Sequence, residues 1–183
     1  MPGVGRRSGE RIALELVRDP SFLDDLVAGL QDARRNVCCC ALCGNITSAS
    51  NNPCRLCTDP NRDGHLLCVV EQPHDILMIE RSGGYRGRYH ALMGKLSPGK
   101  GEGPSSLRLK ALVERLDREP VEEIILALST DMEGEMTAGF IAELLAGRSI
   151  KSTRLAFGLP AGSAVMYSDP ITLGKAIRGR QPL

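Results

Sequence analysis

The sequence predicts an α/β protein built from small modules, and three observations predict it. From Asp63 onward, short apolar runs alternate with helical stretches, the rhythm of a parallel sheet with helices between its strands. Before that, two Cys-x-x-Cys pairs punctuate a polar, turn-rich segment. Two amphipathic stretches precede the cysteines. The chain has 183 residues, which suits one ordinary domain or a few small ones and excludes a large multidomain machine. It is 42% apolar and 25% charged, so a packed core is expected. Only 3% is aromatic, with no Trp, and 20 Gly and 11 Pro favour slim cores joined by many turns.

Taken in order, a tight Pro2-Gly3-Val4-Gly5 turn opens the chain. Ile12, Ala13, Leu16 and Val17 then mark one face of a helix starting near Ser8. Pro20 and Ser21 start a second helix, with Ser21 and Asp24 resembling a capping box. Phe22, Leu23, Leu26, Val27 and Leu30 recur at helical spacing until Arg34-Arg35. From Cys38 to Cys57 there is too little apolar surface to fold unaided, so something else must hold the segment. Strands are expected at Leu66–Glu71, Tyr89–Met93, Glu123–Leu128 and Thr153–Ala156. Helices are expected over 74–81, 105–117, 134–147 and 170–178.

Charge is balanced overall, 23 basic against 22 acidic residues, and selects neither nucleic acid nor membrane. Its distribution is uneven. Arg81 to Lys110 holds seven basic residues and one acidic, Glu114 to Glu143 nine acidic and two basic, and Arg148 to Arg180 six basic and one acidic. Two positive stretches thus bracket a negative one, either as solvated helix faces or as a path for a phosphate backbone. No apolar run approaches the roughly 18 residues of a membrane span, and Met1-Pro2-Gly3 begins no signal core, so a cytoplasmic protein is expected. In that compartment seven Cys point to metal before disulfides.

The strongest chemical signal is Cys40-x-x-Cys43 with Cys54-x-x-Cys57, ten residues apart. Two such knuckles present four sulfurs tetrahedrally to one Zn²⁺ and leave no position for a reactive water, so the site is structural. A disulfide or redox pair is the competing reading. Cys38 and Cys39 blur the register, but only Cys40 gives the two-residue gap to Cys43. Cys68, inside Leu66–Val70, reads as a small buried hydrophobe. Glu71 ends one expected strand, and Asp131-Met132-Glu133-Gly134-Glu135 follows another. In a parallel sheet these carboxylates share the edge at the strand C-termini and could hold a Mg²⁺-type ion. Alternatively, Asp131 and Glu133 serve only the positive end of the next helix. The glycine-lined opening turn with Arg6, Arg7 and Arg11 could meet a phosphate backbone, or be a plain turn with surface arginines.

In this order the features resemble the bacterial RecR recombination mediators. The likeness is carried by PGVGRRSGERIA at 2–13, CALCGNIT at 40–47, CRLCTDPNRD at 54–63, the run 68–98, EGEMTA at 133–138, and RLAFGLPAGS with TLGKAIRGR near the end. It implies four parts: a helix-hairpin-helix DNA-binding region at 1–36, a four-cysteine zinc finger at 37–62, a Toprim parallel α/β domain at 63–157 and a short C-terminal helical segment at 158–183. The implied protein is not an enzyme. It binds double-stranded and gapped DNA without sequence specificity and, with RecO and RecF, helps load RecA at single-strand gaps, near the bacterial nucleoid.

By motif, the resemblance implies DNA contact for Arg7 and Arg11, zinc ligation for Cys40, Cys43, Cys54 and Cys57, and partner or Mg²⁺ contact for the acidic Toprim residues Glu71, Glu133 and Glu135. The rival reading, a Mg²⁺-dependent Toprim nuclease, uses those same carboxylates. Two departures stand out. The match begins inside the family's hairpin, so its first helix has no counterpart here, which bears on the dimers or tetrameric rings the family forms. The hairpin also reads Gly5-Arg6-Arg7 where Gly-Pro-Lys is usual, keeping charge while losing a fixed φ.

Overall fold

The protein is described by a computed structural model covering residues 3–156, 158–159 and 162–180. Pro2 of the opening turn, Phe157, Pro160 and Ala161 of the RLAFGLPAGS motif, and the last three residues of the expected C-terminal segment lie outside the described residues.

Helix α1 spans Arg6–Arg18 and begins two residues before Ser8. Gly5 O accepts from Gly9 N at 2.9 Å, and Arg6 pairs with Glu10 one turn on at 3.0 Å, so the first turn closes on the arginines themselves. Helix α2 runs Pro20–Asn36. Its cap is Asp19, not the Ser21–Asp24 box: the Asp19 carboxylate accepts from Phe22 N at 3.0 Å and from Ser21 Oγ at 2.8 Å. Pro20 takes the first helical position, where its missing N–H costs nothing, and that fixes Asp19 as the flanking residue. Neither α1 nor α2 buries a residue. Ile12, Val17, Phe22, Val27 and Leu30 all face solvent.

The core-poor segment folds into an antiparallel pair, β1 (Val37–Cys39) and β2 (Ile46–Ser48), joined by the first cysteine knuckle. The second knuckle carries the one-turn helix α3 (Arg55–Thr58). At three residues each, the strands are too short to show a period of two.

Next comes the main sheet, parallel throughout, in the order β4-β3-β5-β6. It uses β3 (Asp63–Val70), β4 (Gly87–Ala91), β5 (Glu123–Ala127) and β6 (Lys151–Arg154). Helices α4 (Pro73–Ser82), α5 (Leu109–Leu116) and α6 (Met132–Leu144) connect them, and α7 (Pro170–Arg178) follows β6. Each expected strand is present, shifted by a few residues. Strand β4 stops at Ala91 because Met93 and Gly94 turn the chain with φ of 68° and 153°.

Strand β3 is central and buried on both faces, hence its unbroken Leu-Leu-Cys-Val-Val. Alternation sends Leu67 and Val69, with Ile124 and Leu126 of β5, against α5 and α6. The opposite face carries Cys68, Val70, Tyr89 and Ala91. There α4 supplies Ile76, and the four cysteines of the knuckles complete the same apolar cluster. The cysteine module therefore packs as part of the sheet's second layer.

Candidate metal centre and acidic edge

The sulfurs of Cys40, Cys43, Cys54 and Cys57 lie within 4.8 Å of one another, and all four residues are buried. Cys40 to Cys57 is 3.8 Å and Cys43 to Cys54 is 3.5 Å. Tetrahedral Zn–S bonds of about 2.3 Å require sulfurs about 3.8 Å apart, so the donor set fits such an ion. Backbone N–H groups point at the sulfurs as well: Cys54 N at 3.3 Å from Cys40 Sγ, and Asn45 N at 3.4 Å from Cys43 Sγ. Cys39 is exposed on β1, and Cys38 receives only Asn52 Nδ2 at 3.7 Å, so neither joins the cluster.

Electrostatics explain why the cluster calls for a cation. The Cys43 thiol is pulled down to about 5, chiefly by the hydrogen bond from Cys57, while that same bond holds the Cys57 proton on and burial pushes Cys54 up to about 11. Cys54 and Cys57 thus resist losing their protons until a metal ion takes their place. Cys68, away from the cluster and buried, is pushed up to about 12 and stays a neutral thiol.

At the first knuckle two ties hold the module to the sheet. Ala91 N of β4 donates to Cys43 O at 2.7 Å. Arg108, ahead of α5, reaches across so that Nη2 donates to Ala41 O at 3.0 Å and Leu42 O at 3.2 Å. Gly44 makes room: its φ is +81°, and a Cβ there would lie 2.1 Å from Arg108 Nη1. Below, His90 is fully buried with Nε2 3.0 Å from Arg108 O, and burial together with the nearby guanidinium brings its imidazole down to about 3.

Of the carboxylates expected at the acidic edge, Glu71, Asp131 and Glu133 come together around one lysine. Glu71 follows β3, and its Oε1 accepts from Ser129 N at 2.6 Å. Asp131 caps α6: Oδ1 accepts from Gly134 N at 2.7 Å and Ser129 Oγ at 3.0 Å. Glu133 accepts from Ser97 Oγ. Glu135 is elsewhere. Two residues on from Glu133 along a helix it faces nearly the opposite way, where Arg154 Nη1 of β6 bonds both its oxygens at 3.0 Å. Gly134 is required between them, since a Cβ would lie 2.1 Å from Ser129 O.

A lysine whose sequence context is only a positive run sits among these acids. Lys95 Nζ bonds Asp131 Oδ2, donates to Ser129 Oγ at 3.0 Å, and lies 3.7 Å from Glu133 and 4.0 Å from Glu71. Its bond holds Asp131 down to about 2. The donors therefore do not fit the Mg²⁺ ion implied for this edge, because an ammonium already fills the place between them. No residue spacing signals this contact, which joins a loop to a helix cap 36 residues later.

Four more basic residues of the positive stretches are paired with acids of the negative one. Arg88 pairs with Glu119, Lys110 with Glu114, Arg148 with Asp117 and Lys151 with Glu123. Much of the sorted charge is thus cancelled between the positive and negative stretches. Arg7 and Arg11 remain exposed on α1, and Ser8, Arg11, Ile12 and Glu15 line a shallow depression there.

Comparison with known proteins agrees with this architecture. A family profile described as Toprim domain matches residues 65–156, and one described as RecR, C-terminal matches 158–181. A protein of Moorella thermoacetica named Recombination protein RecR is 45% identical, the match covering 100% of this chain and 92% of the relative. Proteins of the same name from Thermobifida fusca and Acidothermus cellulolyticus are 46% and 44% identical with the same coverage.

Proposed function

The chain belongs to the RecR family of recombination proteins, and from that premise we propose that it is a non-catalytic mediator of DNA repair by recombination. The observation that carries the reading is the likeness over the whole chain, at 45% identity, to a protein bearing the RecR name. A binding role in place of a nuclease role is supported by the acidic edge, whose carboxylates are engaged by Lys95, Ser97 and Ser129, and by Glu135, which is held apart from that edge by Arg154.

In this reading Arg7 and Arg11 contact the phosphate backbone of double-stranded or gapped DNA, and affinity comes from charge with little base reading. The four cysteines hold Zn²⁺, which supplies a structural cross-link and folding energy. The boundaries at 36, 62 and 157 divide the chain by role. RecO and RecF are the partners, and RecA loading at single-strand gaps is the outcome. Partner contact falls on the start of α6, where exposed Met132 and half-exposed Met136 alternate with Glu133 of the acidic edge and Glu135 on the opposite side and add an apolar component. Self-association into a dimer or ring is supported by the apolar faces that α1 and α2 leave to solvent. No described helix is long and apolar enough to cross a membrane, and the expected site of action is the cytoplasm at the nucleoid.

The test is a titration of gapped duplex DNA over a range of salt concentrations, for wild type and Arg11→Ala. The slope of log affinity against log salt is expected to be steep, and to fall by about 0.9 in the variant if one phosphate contact is lost. Affinity indifferent to salt, or DNA cleaved by clean protein in Mg²⁺ or Mn²⁺, refutes the proposal.

A further inference from the structure

The loop 92–97 delivers one cation to one place. Met93 and Gly94 reverse the chain after β4, with Gly94 N bonded to Glu71 O at 3.0 Å. Leu96 N then donates to Thr137 Oγ1 at 2.9 Å, and Ser97 Oγ donates to Glu133, so the loop is bound to α6 beyond Lys95 as well as to Glu71 before it. Held at both ends, Lys95 has its ammonium directed at Glu71, Asp131 and Glu133, carboxylates from two strand ends that a hard divalent ion would otherwise bridge. Its side chain is only 21% exposed, whereas Lys100, the other lysine near Glu133, is 68% exposed and 3.7 Å away.

We propose that Lys95 is a tethered substitute for a divalent cation: its ammonium closes the acidic edge to Mg²⁺ and Mn²⁺ and holds the loop 92–97 to the start of α6 without metal. The geometry favours this over a surface ion pair. Three acids and one hydroxyl converge on a single donor with three N–H bonds, and the carboxylate oxygens turned away from it are already spent on Ser129 N, Gly134 N and Ser97 Oγ. A chain that replaced this lysine by a neutral residue would carry the same acids without their cation. Electrostatics agree, since the bond to Asp131, backed by the other two carboxylates, raises the Lys95 ammonium above its ordinary value and keeps it charged.

The experiment is Mn²⁺ binding to zinc-loaded full-length protein, read by loss of the free-ion electron paramagnetic resonance signal. Wild type and Lys95→Arg are expected to bind no Mn²⁺ beyond the level shown by Glu71→Gln. Lys95→Ala is expected to gain one site, at least tenfold tighter than any in wild type and lost again in Lys95→Ala/Glu71→Gln. Lys95→Met keeps the aliphatic stem and is read instead if circular dichroism shows the alanine variant unfolded. Wild-type binding that Glu71→Gln removes, or a folded neutral variant that gains no ion, overturns the proposal. Neither readout uses DNA or a partner: failure here withdraws only the support the acidic edge lends to a non-nuclease role, whereas the function proposed above fails on salt-indifferent affinity or on DNA cleavage.

Discussion

Replacing Gly44 by alanine tests how the cysteine module is fastened to the sheet. The new Cβ would lie 2.1 Å from Arg108 Nη1, so the guanidinium must withdraw from Ala41 O and Leu42 O. Charge-assisted hydrogen bonds contribute about 1.5–3 kcal/mol each when buried. Arg108 is half-buried, so the pair together is discounted to about 2 kcal/mol. The left-handed backbone at Gly44, φ +81°, adds about 1–2 kcal/mol for any residue with a Cβ. Gly44→Ala should therefore cost about 3–4 kcal/mol, a fall in Tm of roughly 6–16 °C for a chain of this length. Arg108→Ala should cost about 2 kcal/mol, since its backbone carbonyl still serves His90. The double variant should cost about as much as Gly44→Ala alone, because the same two bonds cannot be lost twice. Urea unfolding at fixed zinc concentration measures all three. Costs that add within about 0.5 kcal/mol would show that the glycine does not act through the arginine.

The remaining predictions concern metal and protons. Cys43→Ser removes one ligand and should forfeit a large share of the roughly 10–16 kcal/mol that zinc supplies to small cysteine modules. Zinc content should fall from one per chain and the thermal transition broaden and drop, and unchanged stoichiometry and melting would refute the ligand assignment. The folded His90 titrates at about 3 against an ordinary 6.5, so the unfolded chain takes up its proton first. Its contribution is complete above pH 6.5 and is lost as pH falls toward 3, with a slope of up to about 1.4 kcal/mol per pH unit. Carboxylates such as Asp131, held at about 2, add their loss only below about pH 4. Denaturant midpoints between about pH 4 and 6.5 should therefore flatten in His90→Gln, and an unchanged slope would show that the imidazole is not the source.

Those features that repeat or alternate were legible in the sequence. Leu67 to Val70 read as a strand because a central parallel strand is apolar on both faces, and the cysteine pairs stood out because ligand spacing is local. Contacts made across space were not. Arg108 and Lys95 looked like members of a basic run, yet one grips carbonyls 66 and 67 residues away and the other an acid 36 residues away. The sequence leaves open whether the carboxylates form one edge or whether Asp131 and Glu133 only favour the positive end of the next helix, whereas helical geometry sends Glu133 and Glu135 to different neighbours. Strands β1 and β2 escaped because three residues cannot display a period.

Sharing one apolar cluster between the knuckles and the sheet also governs how the molecule can be dissected. A fragment beginning at Asp63 would strip the cysteines from Cys68, Val70, Ile76, Tyr89 and Ala91 and leave a greasy wall that invites precipitation. One beginning at Val37 keeps that wall covered, and is the shortest piece in which crystallographers or spectroscopists should trust the sheet to behave as it does in the intact chain.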